Sequence, residues 1–128
     1  MMEYIFELIE KIKNKQLEIL ELEKNLADKK KDLAEIQKVK RNIELDIQKQ
    51  VAFDKELKND KQRQAKAKEL ADTNEQYLGL LEAETLTEGQ ISDLIYAIKK
   101  ENIELEYLKR LYEIEKIRKE REAKEVLS

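Results

Sequence analysis

The sequence contains no cysteine, no histidine and no proline, and only two glycines, Gly79 and Gly89. Without cysteine there is no disulfide framework and no thiolate nucleophile, and without histidine the commonest general base and metal ligand is missing. Proline and glycine usually punctuate helices, so their scarcity leaves long stretches free to be helical. Aromatic residues are also few, at 5% of the chain. This composition favours narrow helix–helix contacts over a compact globular core.

Charged residues are abundant instead. They form 43% of the 128 residues, against about 25% in typical soluble proteins. The 26 basic and 29 acidic side chains nearly cancel, to a net charge of −3, which predicts neither a polycationic nucleic-acid coat nor an acidic tail. No apolar run approaches the roughly 20 residues that span a bilayer, and Glu3, Glu7 and Glu10 interrupt the apolar start, unlike a signal peptide. We therefore expect a soluble, cytoplasmic protein with no membrane partner.

Apolar residues recur at seven-residue spacing in the first half of the chain. One series contains Ile5, Ile12, Ile19, Leu26 and Leu33, and the other contains Leu8, Leu22, Ile36 and Ile43. Such series are the a and d positions, or seam, of a left-handed coiled coil. Lys15 and Lys29 interrupt the series that contains Leu8, and Lys40 interrupts the series that contains Ile5. The pattern predicts a helix over residues 3–57.

A second heptad pattern occupies the later part of the chain. Its positions are Leu70, Tyr77, Ile91, Ile98, Leu105 and Tyr112, with Leu80, Leu94 and Leu108 as alternates. Glu84 leaves a gap in this pattern, and Tyr77 and Tyr112 are predicted to be core residues. Because Thr87 starts a capping-box pattern, the predicted helix over 75–122 begins at Glu75 or restarts at Glu88.

Residues 58–74 separate the two patterns and contain few large apolar side chains. Asn59 and Thr73 are each followed three residues later by glutamine, the spacing of a capping box. We predict that the chain reverses in this turn region. Residues 61–71 form either a short separate helix or an extension of the first.

Two long helices with apolar seams must bury those seams. The predicted fold is all-α: residues 1–128 form a single elongated coiled-coil domain, a long antiparallel helical hairpin. Further apolar residues lie just off the seam, at Ile9, Leu45, Ile95, Ile103, Leu111 and Ile114. They widen the apolar stripe, which favours self-association into a homo-oligomer or the binding of a partner helix.

Two groups of residues are candidates for binding a partner. The basic residues Lys61, Arg63, Lys66 and Lys68 lie at the predicted reversal of the chain. They either contact a phosphate backbone or acidic protein surface or form a solvated charged face, and we favour the solvated face. No aromatic residue lies among them, so stacking on single-stranded bases is not indicated.

The second candidate group lies on the predicted second helix. It contains Ile95, Tyr96, Ile103 and Tyr107. Exposed tyrosines can anchor protein interfaces, although tyrosines off the seam can equally be half-buried at the margin of a helix pair.

No residue pattern indicates catalysis. There is no glycine-rich phosphate loop and no Glu-x-x-His pair of a di-metal bundle. The sequence offers no constellation of nucleophile, base and oxyanion donor. We therefore expect no enzymatic activity, no bound metal and no cofactor.

Part of the sequence resembles a loosely defined group of small coiled-coil proteins of phages and prophages. The matching motifs are Asn-x-x-Gln-Arg at Asn59, Gln62 and Arg63, Tyr-x-x-Leu at Tyr77 and Leu80, and Glu-x-Leu-Lys at Glu106, Leu108 and Lys109. The likeness covers about the last two thirds of the chain. It implies a role near phage replication or recombination genes, or in blocking a host system. Gam-type host-nuclease inhibitors are similar in overall shape alone.

Three functions are compatible with these features. The first, which we favour, is a coiled-coil adaptor or inhibitor that binds a protein partner through its apolar stripe. The second is a nucleic-acid-associated accessory protein of replication or recombination, acting through the basic residues near Arg63. The third is a structural spacer. Steep weakening by salt would distinguish nucleic-acid binding from apolar protein binding.

Overall fold

The computed structural model of the protein describes residues 2–127, and the side chains of residues 3–127. It contains three α-helices: α1 spans Met2–Ala52, α2 spans Asp60–Asp72 and α3 spans Glu75–Leu127. No strand occurs among residues 2–127, which confirms the all-α prediction. None of the described helices combines the length and the apolarity that crossing a bilayer requires.

Helix α1 ends at Ala52, earlier than the predicted end at residue 57. The heptad pattern weakens here, because the positions that follow Ile47 are occupied by the polar residues Gln50 and Asp54, so little packing energy favours another helical turn. Aspartate then supplies a local alternative, because the Asp54 carboxylate accepts a hydrogen bond of 3.0 Å from the backbone N–H of Glu56. Such Asx turns compete with helix and fix the chain in a turn.

The predicted turn region contains a separate helix, α2, which settles the alternatives for residues 61–71. Asn59 is its N-cap and accepts a 2.8 Å hydrogen bond from the backbone N–H of Gln62. The Gln62 side chain in turn accepts a 2.7 Å hydrogen bond from the backbone N–H of Lys58. The glutamine that follows Asn59 therefore does stabilise a helix start, as the spacing predicted.

The prediction that Thr73 caps the next helix is wrong by one residue. Asn74 lies directly before α3, and its side chain accepts a 2.9 Å hydrogen bond from the backbone N–H of Tyr77. Thr73 instead ends α2, and its hydroxyl donates a 2.9 Å hydrogen bond to the carbonyl of Glu69. Asparagine and threonine are both capping residues. Here Asn74 caps the start of α3, and Thr73 caps the end of α2.

Helix α3 runs without interruption from Glu75 to Leu127, beyond the predicted end at residue 122. The predicted restart at Glu88 is absent from this described helix. Thr87 is buried, so it occupies a seam position where sequence spacing had indicated a cap. Gly89 lies within the helix and has no positive φ.

The chain divides into two compact units. Unit 1 contains residues 2–26 and 93–127, and unit 2 contains residues 27–92. The best buried side chain of unit 1 is Leu8, which is 1% exposed, and unit 2 buries Ile47 and Val51.

The heptad positions predicted on α1 and α3 are all buried or half-buried. Ile19 is buried as predicted, whereas Leu26 and Leu33 are half-buried. The predicted series therefore identifies the inner face of both long helices, with burial that varies along it.

Candidate functional site

A lysine occupies the inner face of α1 in unit 1, at an interruption of the apolar series. Lys15 lies 2.6 Å from the carboxylate of Glu101 and 2.8 Å from that of Glu104. The hydrogen bond that Lys15 donates to Glu101 is the main cause that raises the pKa of Lys15, and the hydrogen bond to Glu104 adds to it. The same contact with Lys15 lowers the pKa of Glu101. Lys15 is therefore held protonated, and its charge pairs α1 with the two glutamates of α3.

Unit 2 contains a second such contact, formed by two residues that each interrupt a heptad series. Lys40 lies 2.9 Å and 3.0 Å from the two carboxylate oxygens of Glu84. Both side chains are largely covered, at 21% and 16% exposed. The hydrogen bond to Glu84 raises the pKa of Lys40. Each helix thus has a charged residue at a heptad position that is otherwise apolar, and the two residues, of opposite charge, contact each other.

Tyr77 adds a third polar contact, also in unit 2. Its hydroxyl donates a 3.0 Å hydrogen bond to the carboxylate of Glu44. Burial, followed by this bond to an anion, raises the pKa of Tyr77. Tyr77 and Tyr112, predicted to be core residues, are both half-buried.

Glu101 was not singled out by the sequence, although a signal for it exists. Glu101 lies seven residues from both Leu94 and Leu108, so it is a gap in the same heptad series. Because Lys15 is a gap on the other helix, charge matching between the two gaps would have predicted the pair.

The basic candidates on α2 do not form one patch. Arg63 and Lys66 are half-buried and are paired with acids of their own helix, Asp60 at 3.1 Å and Glu69 at 3.7 Å. Lys61 and Lys68 are exposed, and they lie one heptad apart on another side of α2. The four charges are therefore divided between two faces of a short helix.

The four apolar candidates on α3 are all exposed, and three of them strongly so. Tyr96, Ile103 and Tyr107 are 71%, 72% and 63% exposed, whereas Ile95 is 38% exposed. Ile114 and Ile117 extend the exposed set toward the end of the helix. We call the five strongly exposed residues the α3 stripe: Tyr96, Ile103, Tyr107, Ile114 and Ile117.

The α3 stripe lies away from the inner face of the helix. Ile103 and Tyr107 are each two residues from buried Leu105, which places them about 200° around an α-helix from it. An open groove of about 460 Å³ runs beside Ile103 and Tyr107, with Asn102, Glu106 and Arg110 as its other lining residues. Helix α3 therefore carries two apolar faces, one inner and one exposed.

The part of helix α1 that lies in unit 1 also exposes large apolar side chains. Phe6, Leu17 and Leu20 are all exposed, with Tyr4 and Ile9 less so. Of the other residues predicted to widen the seam, Leu45 in unit 2 is exposed and Leu111 in unit 1 is half-buried. Exposed large apolar side chains therefore occur on both long helices, and the α3 stripe contains five of them on one helix.

Among residues 2–127, no cluster of three or more acidic side chains is arranged to hold a metal ion. No family model, curated protein or solved structure matches the chain.

Proposed function

We propose that the protein is a non-catalytic helical binding protein, an adaptor or inhibitor that docks a protein partner on the α3 stripe. The stripe carries this proposal. Its five apolar side chains are 50% to 72% exposed and occupy one side of a single helix. Contiguous exposed apolar surface is typical of protein interfaces, and tyrosine is among the residues that contribute most to binding there.

The stripe has the spacing that another helix recognises. From Ile103 the apolar residues follow at intervals of four, seven and three, which is heptad spacing with one position replaced by Arg110. A helix presenting its own apolar residues at such intervals fits this pattern by knobs-into-holes packing. We therefore propose an amphipathic helix as the docked element.

The proposed framework for the stripe is an antiparallel helical hairpin of α1 and α3. In unit 2, Lys40 contacts Glu84 whereas Glu44, further along α1, contacts the earlier residue Tyr77. In unit 1, Lys15 contacts Glu101. The two contacts in unit 2 are the pattern expected of helices that run in opposite directions. The heptad spacing supports a coiled coil.

The charges on α2 support a protein partner over nucleic acid. Arg63 and Lys66 are already close to Asp60 and Glu69, so they offer less free positive charge to a phosphate backbone. The net charge of the chain is −3, whereas proteins steered to nucleic acid are usually basic. The resemblance to phage coiled-coil proteins supports inhibition of a host protein as one form of this function.

Capture from the native source with immobilised protein tests the proposal, with the partner identified by mass spectrometry and then purified for calorimetry. The test variant carries Ile103→Glu and Ile117→Glu, and the matched control carries Lys61→Glu and Lys68→Glu on exposed positions of α2. We expect the stripe variant to lose the partner and the control to keep it. Loss with the control alone, together with steep weakening by salt, would support nucleic-acid-type binding instead.

A further inference from the structure

We propose that the helix docked on the α3 stripe is α3 of a second copy of this chain, running antiparallel to the first. The two-fold axis passes between Leu108 and Lys109. This inference rests on the proposed function, because it names the partner of the same face. The arrangement is isologous, so each contact occurs twice.

The stripe and its charged gaps form a complete heptad pattern on α3. One series contains Tyr96, Ile103, Arg110 and Ile117, and the other contains Lys100, Tyr107, Ile114 and Arg121. All eight residues are exposed. The gaps are all basic, whereas the gaps on the inner face that form ion pairs with α1 are the acids Glu84 and Glu101.

A parallel pair of α3 helices is disfavoured by these gaps. In a parallel dimer each heptad position faces the same position of the other copy. Lys100 would then face Lys100, and Arg110 would face Arg110, inside the contact. Like charges in such positions are destabilising.

An antiparallel pair centred between Leu108 and Lys109 avoids every such clash. Ile103 packs on Ile114 of the second copy, and Tyr107 faces Arg110 of the second copy. An arginine over a tyrosine ring is a favourable cation–π contact, and no ion pair among residues 2–127 engages the Arg110 side chain.

The outer layers follow the same rule. Tyr96 faces Arg121 of the second copy, and Lys100 lies along Ile117 of the second copy, where its aliphatic stem can cover the isoleucine. At the edges, the attraction between Lys99 and Glu120 of the second copy offsets the repulsion between the glutamates at 106 and 113. The edge charges offset one another, so the arrangement is determined by the residues that face each other inside the contact.

Shifting the second copy by one heptad makes the contact worse in either direction. One shift places Lys100 against Arg110 of the second copy, which brings like charges together. The other places Arg110 against Ile114 and Arg121 against Ile103, so that both Tyr–Arg contacts and the isoleucine layer are lost. The charge pattern thus selects one direction and one register.

Cross-linking of introduced cysteines tests this register on a chain that has no cysteine of its own. Two full-length variants are made, Ile103→Cys and Ile114→Cys, and treated with a short bismaleimide separately and as an equimolar mixture. In the proposed dimer the two thiols of different variants lie in one layer. Thiols of the same variant lie about 16 Å apart along the axis, at 1.5 Å per residue.

We expect cross-linked dimer in the mixture and almost none with either variant alone. Cross-linking of each variant by itself would indicate a parallel pair and overturn the inference. A monomer mass for the wild-type protein in sedimentation at high micromolar concentration, with no cross-linking in the mixture, would also overturn it. Partner capture that still depends on the stripe would then leave the proposed function standing, so the two failures are distinguishable.

A charge variant provides an independent readout of the same contact. Ile103→Glu combined with Ile114→Glu places like charges in the isoleucine layers and should raise the dimer dissociation constant at least about 100-fold. Asn102→Glu adds one of these charges beside the stripe and serves as the control, with helicity checked by circular dichroism. An unchanged dissociation constant in the double variant would contradict the proposed contact.

Discussion

The two faces of α3 have the same kind of apolar spacing but different neighbours. The inner face holds Leu105, which is buried, and the exposed face holds Ile103 and Tyr107. Their charged gaps differ in sign. The inner gaps Glu84 and Glu101 are matched by lysines of α1, whereas the gaps in the α3 stripe are basic. Heptad spacing therefore shows that a face can pack on a helix, and the charge in its gaps indicates which helix fits.

The largest expected difference between the faces is in stability. Leu105→Ala should cost about 2–5 kcal/mol in the free energy of unfolding, because it removes buried methyl groups and leaves a cavity. Ile103→Ala should change the stability of the single chain by about 0.5 kcal/mol or less, as is usual for exposed positions. Urea unfolding followed by circular dichroism at low protein concentration measures both. Equal costs would mean that the two faces are equally covered.

A charge exchange tests whether the inner face depends on matched gaps. Lys40→Glu should destabilise the protein by placing like charges together, and adding Glu84→Lys should restore part of the loss. We expect a coupling energy within the range of about 0.5–3 kcal/mol found for contacting residues. A double-mutant cycle in urea measures it. Additive effects of the two changes would contradict a direct contact between Lys40 and Glu84.

Acid should weaken the matched gap in unit 1. The pKa of Glu101 is lowered by Lys15, so its contribution is present above the ordinary glutamate pKa of about 4.3 and is lost as the pH falls through the lowered value. The stability difference between wild type and Glu101→Gln should therefore shrink in acid. Repeating the comparison in a Lys15→Met background should remove this pH dependence, and its persistence would assign it to another group.

A small stabilising effect is expected at two exposed positions of α3. Gly79 and Gly89 have open space where a Cβ would lie, and neither has a positive φ. Gly79→Ala and Gly89→Ala should each stabilise the protein by about 0.5–1 kcal/mol, because alanine loses less backbone entropy in a helix. Thermal unfolding measures the gain. A loss of stability would show that the added methyl group meets a neighbour in solution.

The inner face of the long helices was predictable from the sequence, because Leu and Ile at heptad spacing have one way to be buried together. Helix ends were less predictable. Asn74 and Thr73 are both capping residues, and only the hydrogen bonds show that Asn74 begins α3 while Thr73 ends α2.

The sequence showed where charged residues interrupt the apolar series, but it did not show which residues they pair with. Lys15 and Lys40 interrupt the apolar pattern in the sequence, but their partners depend on which residues of α3 lie opposite, which is a tertiary property. Exposure of Tyr96 and Tyr107 was one of two alternatives, since the sequence shows that they lie off the inner face but not whether another segment covers them. The structure leaves both strongly exposed.

Hydroxyl-radical footprinting of the four tyrosines of α3 tests most directly whether the α3 stripe is a docking face. In dilute protein, Tyr96 and Tyr107 should be oxidised quickly and half-buried Tyr77 and Tyr112 slowly. In the isolated complex with a partner, or at concentrations where the chain associates with itself, Tyr96 and Tyr107 should become protected while Tyr77 stays unchanged. Undiminished oxidation of Tyr96 and Tyr107 in a stable complex would contradict binding through the α3 stripe.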